Sequence, residues 1–220
     1  MRYNLQTRET KGRVFDKTVY HFARVGSTNK LAFSLAEKGG KEGTVVLADE
    51  QFKGEGRTGR EWFSPCGGLW FSLILRPNFL LNNTSMYPLM GATAVVRTIK
   101  KLTCLPACIS LPNDILIREK KVGGVMCTIK IEERQVKFAI LGVGVNLNVE
   151  SFPASLQDLS TSLLLETHRL TSPLYFLDLF LEELEGLYAL SQVDSLSFMD
   201  KAKEFIPQGA GIHESGYRYW

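Results

Sequence analysis

The sequence predicts an α+β fold, a mixed, largely antiparallel sheet with helices packed on one face, and three observations carry this reading. Strand candidates at Ile115–Ile117, Gly124–Ile131 and Val136–Leu147 follow one another closely. The charged runs Arg118-Glu119-Lys120-Lys121 and Glu132-Glu133-Arg134 separate them, as consecutive hairpins require. Helical segments are scattered along the chain, which together with the adjacent hairpins argues for a sheet with helices packed on one face.

Thr18–Val25 reads as the first strand of the body, and Ser27 as the N-cap of a helix with Leu31, Ala32, Leu35 and Ala36 on one face. Gly39-Gly40 ends that helix. Thr44–Ala48 is a short strand of buried type, and the polar, glycine-rich stretch from Gln51 to Gly68 is irregular. Leu69–Arg76 is a third strand, and Met86–Leu102 has the small and apolar content of a core helix. After Pro153 the pattern turns helical: Leu177, Phe180, Leu181, Leu184, Leu187 and Tyr188 share one amphipathic face, a scaffold element.

With 220 residues, 45% hydrophobic and 22% charged, the chain can bury one sizeable core and has an ordinary globular composition. No run of ~18 apolar residues could span a bilayer, so no membrane partner is expected. The first residues, Met1–Gln6, lack the apolar core of a secretory signal, which makes the cytoplasm the expected compartment. Cys66, Cys104, Cys108 and Cys127 form neither a CxxC pair nor a zinc spacing; they are read as reduced thiols without chemistry, and no residue is assigned to a metal. A net charge of +3 is small for a dedicated nucleic-acid binder, so no DNA partner is expected. From Trp62 through Asn113 there is no Asp or Glu, and Lys53, Arg57 and Arg60 precede this stretch beside only Glu55 and Glu61. A locally basic surface is expected there.

Three segments have a composition suited to chemistry. Gly54-Glu55-Gly56-Arg57-Thr58-Gly59 satisfies GxGxxG, but the residues after it have no helical periodicity and no acidic residue lies ~20 positions on, so a dinucleotide fold is not indicated. Without a GK[ST] ending it is not a P-loop either. Glycines that let backbone N–H groups approach an anion, with arginines between them, suit an acyl phosphate or adenylate; a solvated surface loop is the plain alternative. Asp114 and Lys121 stand across a hairpin turn and could meet on neighbouring strands, as a surface ion pair or a catalytic one. The third segment, Gly142-Val143-Gly144-Val145-Asn146-Leu147-Asn148, puts glycines inside a strand, which marks close approach of a ligand or of other backbone.

Ser27-Thr28-Asn29, the loop from Gln51 to Trp62, Pro112–Asp114, Lys121–Gly124 and Gly142–Asn148 share their order and spacing with the biotin-protein ligases, and the sequence resembles that family from about Phe22 to Asn148, more loosely to Phe205. The resemblance implies a catalytic domain over residues 1–205 and a short tail over 206–220. It implies an enzyme of the biotin–acetyl-CoA-carboxylase ligase type, which joins biotin and ATP into biotinyl-5′-AMP and pyrophosphate. Biotin would then pass to a lysine of a biotin carboxyl carrier protein; homodimerisation is left open. By the same resemblance Ser27, Thr28, Gln51, Gly54, Arg57, Lys121, Gly124 and Gly142 would bind biotin. ATP would fall to Arg57, Arg60, Trp62, Asn113, Lys121 and Asn146, with Trp62 stacking on adenine and Asn146 reading its edge. Arg57, Lys121 and Asp114 would be catalytic, two cations around the α-phosphate and a carboxylate near the magnesium that screens the triphosphate.

The sequence also departs from the family. Ser110-Leu111 stands where the family has Lys-Trp, and Glu55 and Thr58 stand where its loop carries arginines. Weaker biotin packing or phosphate affinity is the expected consequence. No helix-turn-helix domain precedes Phe22, so repressor activity is not expected, and the family's C-terminal β-barrel is expected to be missing. Three other readings remain: a lipoate or octanoate ligase on the same fold, a catalytically lapsed biotin- or adenylate-binding module, and a basic nucleic-acid-binding protein.

Overall fold

The structure is a computed structural model and describes residues 2–4, 15, 18–77, 86–193 and 195–207. Most of the expected tail, residues 208–220, and most of the polar amino terminus lie outside the described residues. In chain order the elements are β1 (Arg2–Asn4), β2 (Thr18–Val25), α1 (Thr28–Glu37), β3 (Val45–Gln51), β4 (Leu69–Leu75), α2 (Met86–Thr103), β5 (Ala107–Ser110), β6 (Asp114–Ile117), β7 (Lys120–Glu132), β8 (Gln135–Val145), α3 (Leu163–Thr167), α4 (Pro173–Val193) and α5 (Ser195–Lys203). The chain forms two compact units. Met1–Tyr87 with Met126–Gly144 makes the first, and Pro88–Val125 with Val145–Trp220 the second.

In the first unit the strands run in the order β1-β2-β3-β4-β8-β7. β1 pairs antiparallel with β2, and β3 antiparallel with β4 through Val45↔Leu73 and Ala48↔Trp70. β2 and β3 are parallel, in register from Val19↔Val45 to Val25↔Gln51. Parallel neighbours need a crossover, which α1 supplies. Ala32 and Ala36 of that helix pack on Val46, Ile74, Phe138 and Ile140. Small side chains on α1 thus bring the helix close to the sheet, and its first residues stand where Gln51 ends β3. Arg76 closes the other end of α1: Nη2 donates to the carbonyls of Ala36 and Gly40, each at 2.8 Å. Ala36 lies in the last turn of the helix and Gly40 just beyond its C-cap, Lys38, so the guanidinium adds donors where helical N–H groups run out.

In the second unit β5, β6 and the first residues of β7 form antiparallel ladders, with Ile109↔Ile115 and Asp114↔Gly124 in register. A bulge between Ile115 and Leu116 brings Leu116 opposite Lys121. A cis Leu111–Pro112 bond lies between β5 and β6. The face expected for α4 is the buried one, since Leu177, Phe180, Leu181, Leu184, Leu187 and Tyr188 are all in the core.

Two expectations need correction. Among the described residues of the acid-free stretch, every residue of β4 and most of α2 are buried, so acidic side chains are missing there because these elements have little contact with water, while Lys53 and Arg57 just before it are exposed. The charged turns are shorter than their charge runs suggest. Only Arg118-Glu119 and Glu133-Arg134 adopt positive φ, as a two-residue hairpin loop requires, while Lys120, Lys121 and Glu132 are strand residues. β5 and α3 carry no periodic signal long enough to be predicted, being 4 and 5 residues long.

Candidate active site

In the first unit the junction of β2 with α1 sets the geometry. Ser27 is the N-cap of α1, with an extended backbone, yet its hydroxyl makes no capping bond. Gln51, at the end of β3, caps the helix instead, and its Oε1 accepts from the amide of Thr28 at 2.8 Å and from its hydroxyl at 3.0 Å. Gln51 Nε2 donates to Ser64 Oγ at 3.0 Å, and Ser64 Oγ donates to the carbonyl of Trp62 at 3.0 Å. From β4 the fully buried Ser72 places its hydroxyl 2.8 Å from Thr28 Oγ1 and 2.6 Å from Asn29 Oδ1. One proton serves only one of these acceptors at a time. The result is an array of neutral donors and acceptors held by four separate segments.

Three glycines fit around it. A Cβ on Gly54 would lie 2.5 Å from the carbonyl of Trp62 and 2.6 Å from Ser64 Oγ. One on Gly142 would lie 2.3 Å from Asn29 Oδ1, and one on Gly144 2.6 Å from Trp62 Nε1. The close approaches that these glycines predict are therefore made by protein atoms, which tight packing explains without a ligand. The glycine-rich loop is irregular as expected, with a single 3-10 turn over Arg57–Gly59 and Thr58 at φ +58. The Gly56 amide donates to the Arg60 carbonyl at 2.8 Å, which leaves Arg57 exposed at the tip and Arg60 half-buried. Glu55, expected from the sequence to put a negative charge in this loop, is ion-paired with Lys30 of α1, so its charge is locally balanced.

The second unit carries the ionic part. Lys121 Nζ lies 2.8 Å from Asp114 Oδ1, with 7% of the lysine side chain exposed against 26% of the aspartate. This is not a surface pair: removing an ammonium from water is costly unless a carboxylate compensates it. Gly124 stands opposite Asp114 in the ladder. Asn113, also buried, donates from Nδ2 to the Val125 carbonyl at 2.6 Å and accepts the Val125 amide at its own carbonyl at 3.0 Å. Asn146 Nδ2 donates to the Thr161 carbonyl at 3.0 Å and lies 3.5 Å from that of Lys121. The Asn146 amide nitrogen is thus committed to main chain and leaves its carbonyl oxygen for other duties.

Sequence reasoning named Asn29 without a role and missed Ser64, Ser72, Thr161 and Glu166. Ser72 did have a signal, a hydroxyl in the middle of the apolar run LWFSLIL. Thr161 and Glu166 had none: they bond to each other five residues apart, but what ties them to the site, Arg118 and Asn146, lies 48 and 15 residues away.

A family model described as the biotin/lipoate A/B protein ligase family matches residues 21–146, more than half of the chain and a span that holds every residue the sequence assigns to the site. The chain belongs to that family. Among its relatives, the bifunctional ligase/repressor BirA of Bacillus subtilis is 43% identical over 148 residues, covering 66% of this chain and 45% of the relative. The biotin–acetyl-CoA-carboxylase ligase of Paracoccus denitrificans is 32% identical over 199 residues, covering 87% of this chain and 81% of the relative. Among solved structures, a biotin protein ligase from Aquifex aeolicus in complex with biotin and ATP superposes with a TM-score of 0.76 at 29% identity, over 86% of this chain and 78% of that one. The chain spans less than half the length of the BirA proteins from Bacillus that it matches. These likenesses agree with the α+β class and with the resemblance to biotin-protein ligases read from the sequence.

Among the described residues no helix is long and apolar enough to cross a membrane, and no group of three or more His, Cys, Asp or Glu side chains could hold a metal ion. Magnesium accompanying a nucleotide fits this arrangement only as an ion carried largely by phosphate and water oxygens, with Asp114 as the carboxylate on hand. All four cysteines are free thiols.

Proposed function

We propose that this chain is the catalytic domain, over residues 1–205, of an ATP-dependent biotin-protein ligase. The observation that carries the reading is the neutral array of Thr28, Gln51, Ser64 and Ser72. A ureido ring presents both donors and acceptors, and this array keeps capacity for it: the second hydrogen of Gln51 Nε2, the hydroxyl lone pairs and the uncapped hydroxyl of Ser27. Lipoate and octanoate bring no such group, so they would leave those polar atoms desolvated and unpaired, at a cost of ~1–3 kcal/mol each. The names of the relatives from Paracoccus and Aquifex support the same substrate.

In the first step a carboxylate oxygen of biotin attacks the α-phosphorus of ATP, the bond to the bridging oxygen breaks, and pyrophosphate leaves with the electron pair. The exposed Arg57 supplies a planar guanidinium for carboxylate and then phosphate oxygens, with Arg60 beside it. Lys121, largely desolvated and oriented by Asp114, supplies a fixed positive charge for the negative charge that develops on phosphate. Trp62 offers an aromatic surface to adenine and Asn146 its carbonyl oxygen to the 6-amino group. Gly54, Gly124 and Gly142 keep the adjoining backbone free of side chains, and Asn113 holds the strand start that carries Asp114. In the second step the neutral amine of an acceptor lysine attacks the carbonyl carbon of the mixed anhydride. The C–O bond breaks, AMP leaves, and the new amide nitrogen loses a proton to solvent. A biotin carboxyl carrier protein is the partner this chemistry requires, and the cytoplasm suits the four free thiols.

The decisive experiment is exchange of labelled pyrophosphate into ATP by the purified chain, with biotin, lipoate and octanoate in parallel. Exchange with biotin alone is expected. Exchange with lipoate or octanoate instead would move the assignment to the other branch of the family, and biotin binding without exchange would leave a binding module.

A further inference from the structure

We propose that Glu166 is a positioning residue for Lys121, acting through Thr161 and Arg118; the inference rests on the role given to Lys121 above. Lysine has a flexible four-carbon stem, so the place of its ammonium depends on how firmly its own main chain is held. β6 and Asp114 hold one side of Lys121. On the other, its amide donates to the Leu159 carbonyl at 2.8 Å, and its carbonyl accepts from the Thr161 amide at 2.9 Å. Residues 159–161 are not a strand of the sheet, so something must keep this strap in place.

Glu166 of α3 does so with both carboxylate oxygens. Thr161 Oγ1 donates to Oε1 at 2.7 Å, which fastens the strap. Arg118 Nη1 donates to Oε2 at 2.8 Å, which fastens the turn three residues before Lys121. The carboxylate is only 12% exposed while the Arg118 side chain is 65% exposed, so the charged bond is partly shielded at its acidic end. Asn146 joins the same assembly, since its Nδ2 donates to the Thr161 carbonyl and its amide donates to the Val122 carbonyl at 2.8 Å. One carboxylate therefore ties the strap at Thr161 to the turn at Arg118, the two segments that lead to the main chain of the candidate phosphate-binding lysine, and touches no reacting atom itself.

The test is pyrophosphate exchange with the full chain. Glu166→Gln keeps an acceptor for Thr161 but weakens the bond to Arg118; Thr161→Val removes the hydroxyl, and Thr161→Ser restores it. The expected result is a fall of about tenfold or more in kcat for Glu166→Gln and Thr161→Val, because small misplacement of a charge is costly in the transition state. KM for biotin should stay near wild type, the melting temperature should fall by only a few degrees, and Thr161→Ser should recover the rate. Combined with Lys121→Arg, which keeps the charge but changes its placement, Glu166→Gln should add little further loss. Full exchange in Glu166→Gln and Thr161→Val, with none in Lys121→Ala, would overturn the positioning role alone. Losses that multiply fully with Lys121→Arg would do the same. Undiminished exchange in Lys121→Ala would overturn the role of the lysine, and this inference with it.

Discussion

The ammonium of Lys121 and the carboxylate of Asp114 form a 2.8 Å ion pair in which the cation is the more buried partner. The asymmetry sets what each substitution does. Asp114→Ala takes away the carboxylate that faces a nearly buried positive charge, and is expected to cost about 1–3 kcal/mol in urea denaturation, less than for a fully enclosed pair because Asp114 still meets water. Lys121→Ala leaves a carboxylate that water can reach and should cost less stability. It should nonetheless eliminate pyrophosphate exchange.

Arg57 gives the contrasting case. It is exposed at the tip of the glycine-rich loop, so Arg57→Ala should leave the melting temperature unchanged while adenylate formation is lost. Wild-type exchange in this variant would remove Arg57 from the site.

Gly142→Ala should act through Asn29. The new Cβ would lie 2.3 Å from Asn29 Oδ1 and force that side chain off Ser72. A loss of about 1–3 kcal/mol in stability is expected, together with weaker biotin binding by calorimetry. Ser72→Ala should weaken binding by the same route without the overlap, as a buried partner of Thr28 is deleted. Unchanged affinity in both variants would separate this array from biotin.

The thiols should divide by exposure. Cys66 and Cys104 are exposed, whereas burial raises the pKa of Cys127 from 9.0 to about 12. At pH 8 its thiolate fraction would be about 10⁻⁴, so iodoacetamide followed by peptide mass mapping should find Cys66 and Cys104 modified first and Cys127 last. Because the folded state holds this proton more tightly, the contribution of Cys127 to stability is complete below pH 9 and is lost as pH rises through about 12. Cys127→Ala should shift the midpoint of alkaline unfolding toward higher pH.

The β7–β8 turn offers a stability test remote from the candidate site. Glu133 and Arg134 adopt φ of 50 and 65, a region that costs ordinary L-residues ~1–2 kcal/mol each. Replacing the pair by Asn-Gly should raise stability by up to ~1 kcal/mol, measured in urea, with exchange unaffected.

What the sequence alone determined was whatever local pattern can encode. β2, α1, β4, α2, β8 and the buried face of α4 follow from apolar period and from Gly, Ser and Pro punctuation, and each is present close to its expected bounds. The order of the segments around Ser27, Gln51, Asp114, Lys121 and Gly142 was likewise enough to identify the family. Only the tertiary structure decided which of those polar groups are already engaged. That Gln51 caps the helix of Thr28, that Gly142 makes room for Asn29, and that Asn146 gives its amide nitrogen to Thr161 depend on contacts between segments 15 to 113 residues apart. The burial of Lys121, which turns an ordinary-looking ion pair into a desolvated cation, depends on them too. Hydrogen-bond partners and burial belong to the packed chain, because a side chain loses its water only when remote segments close over it.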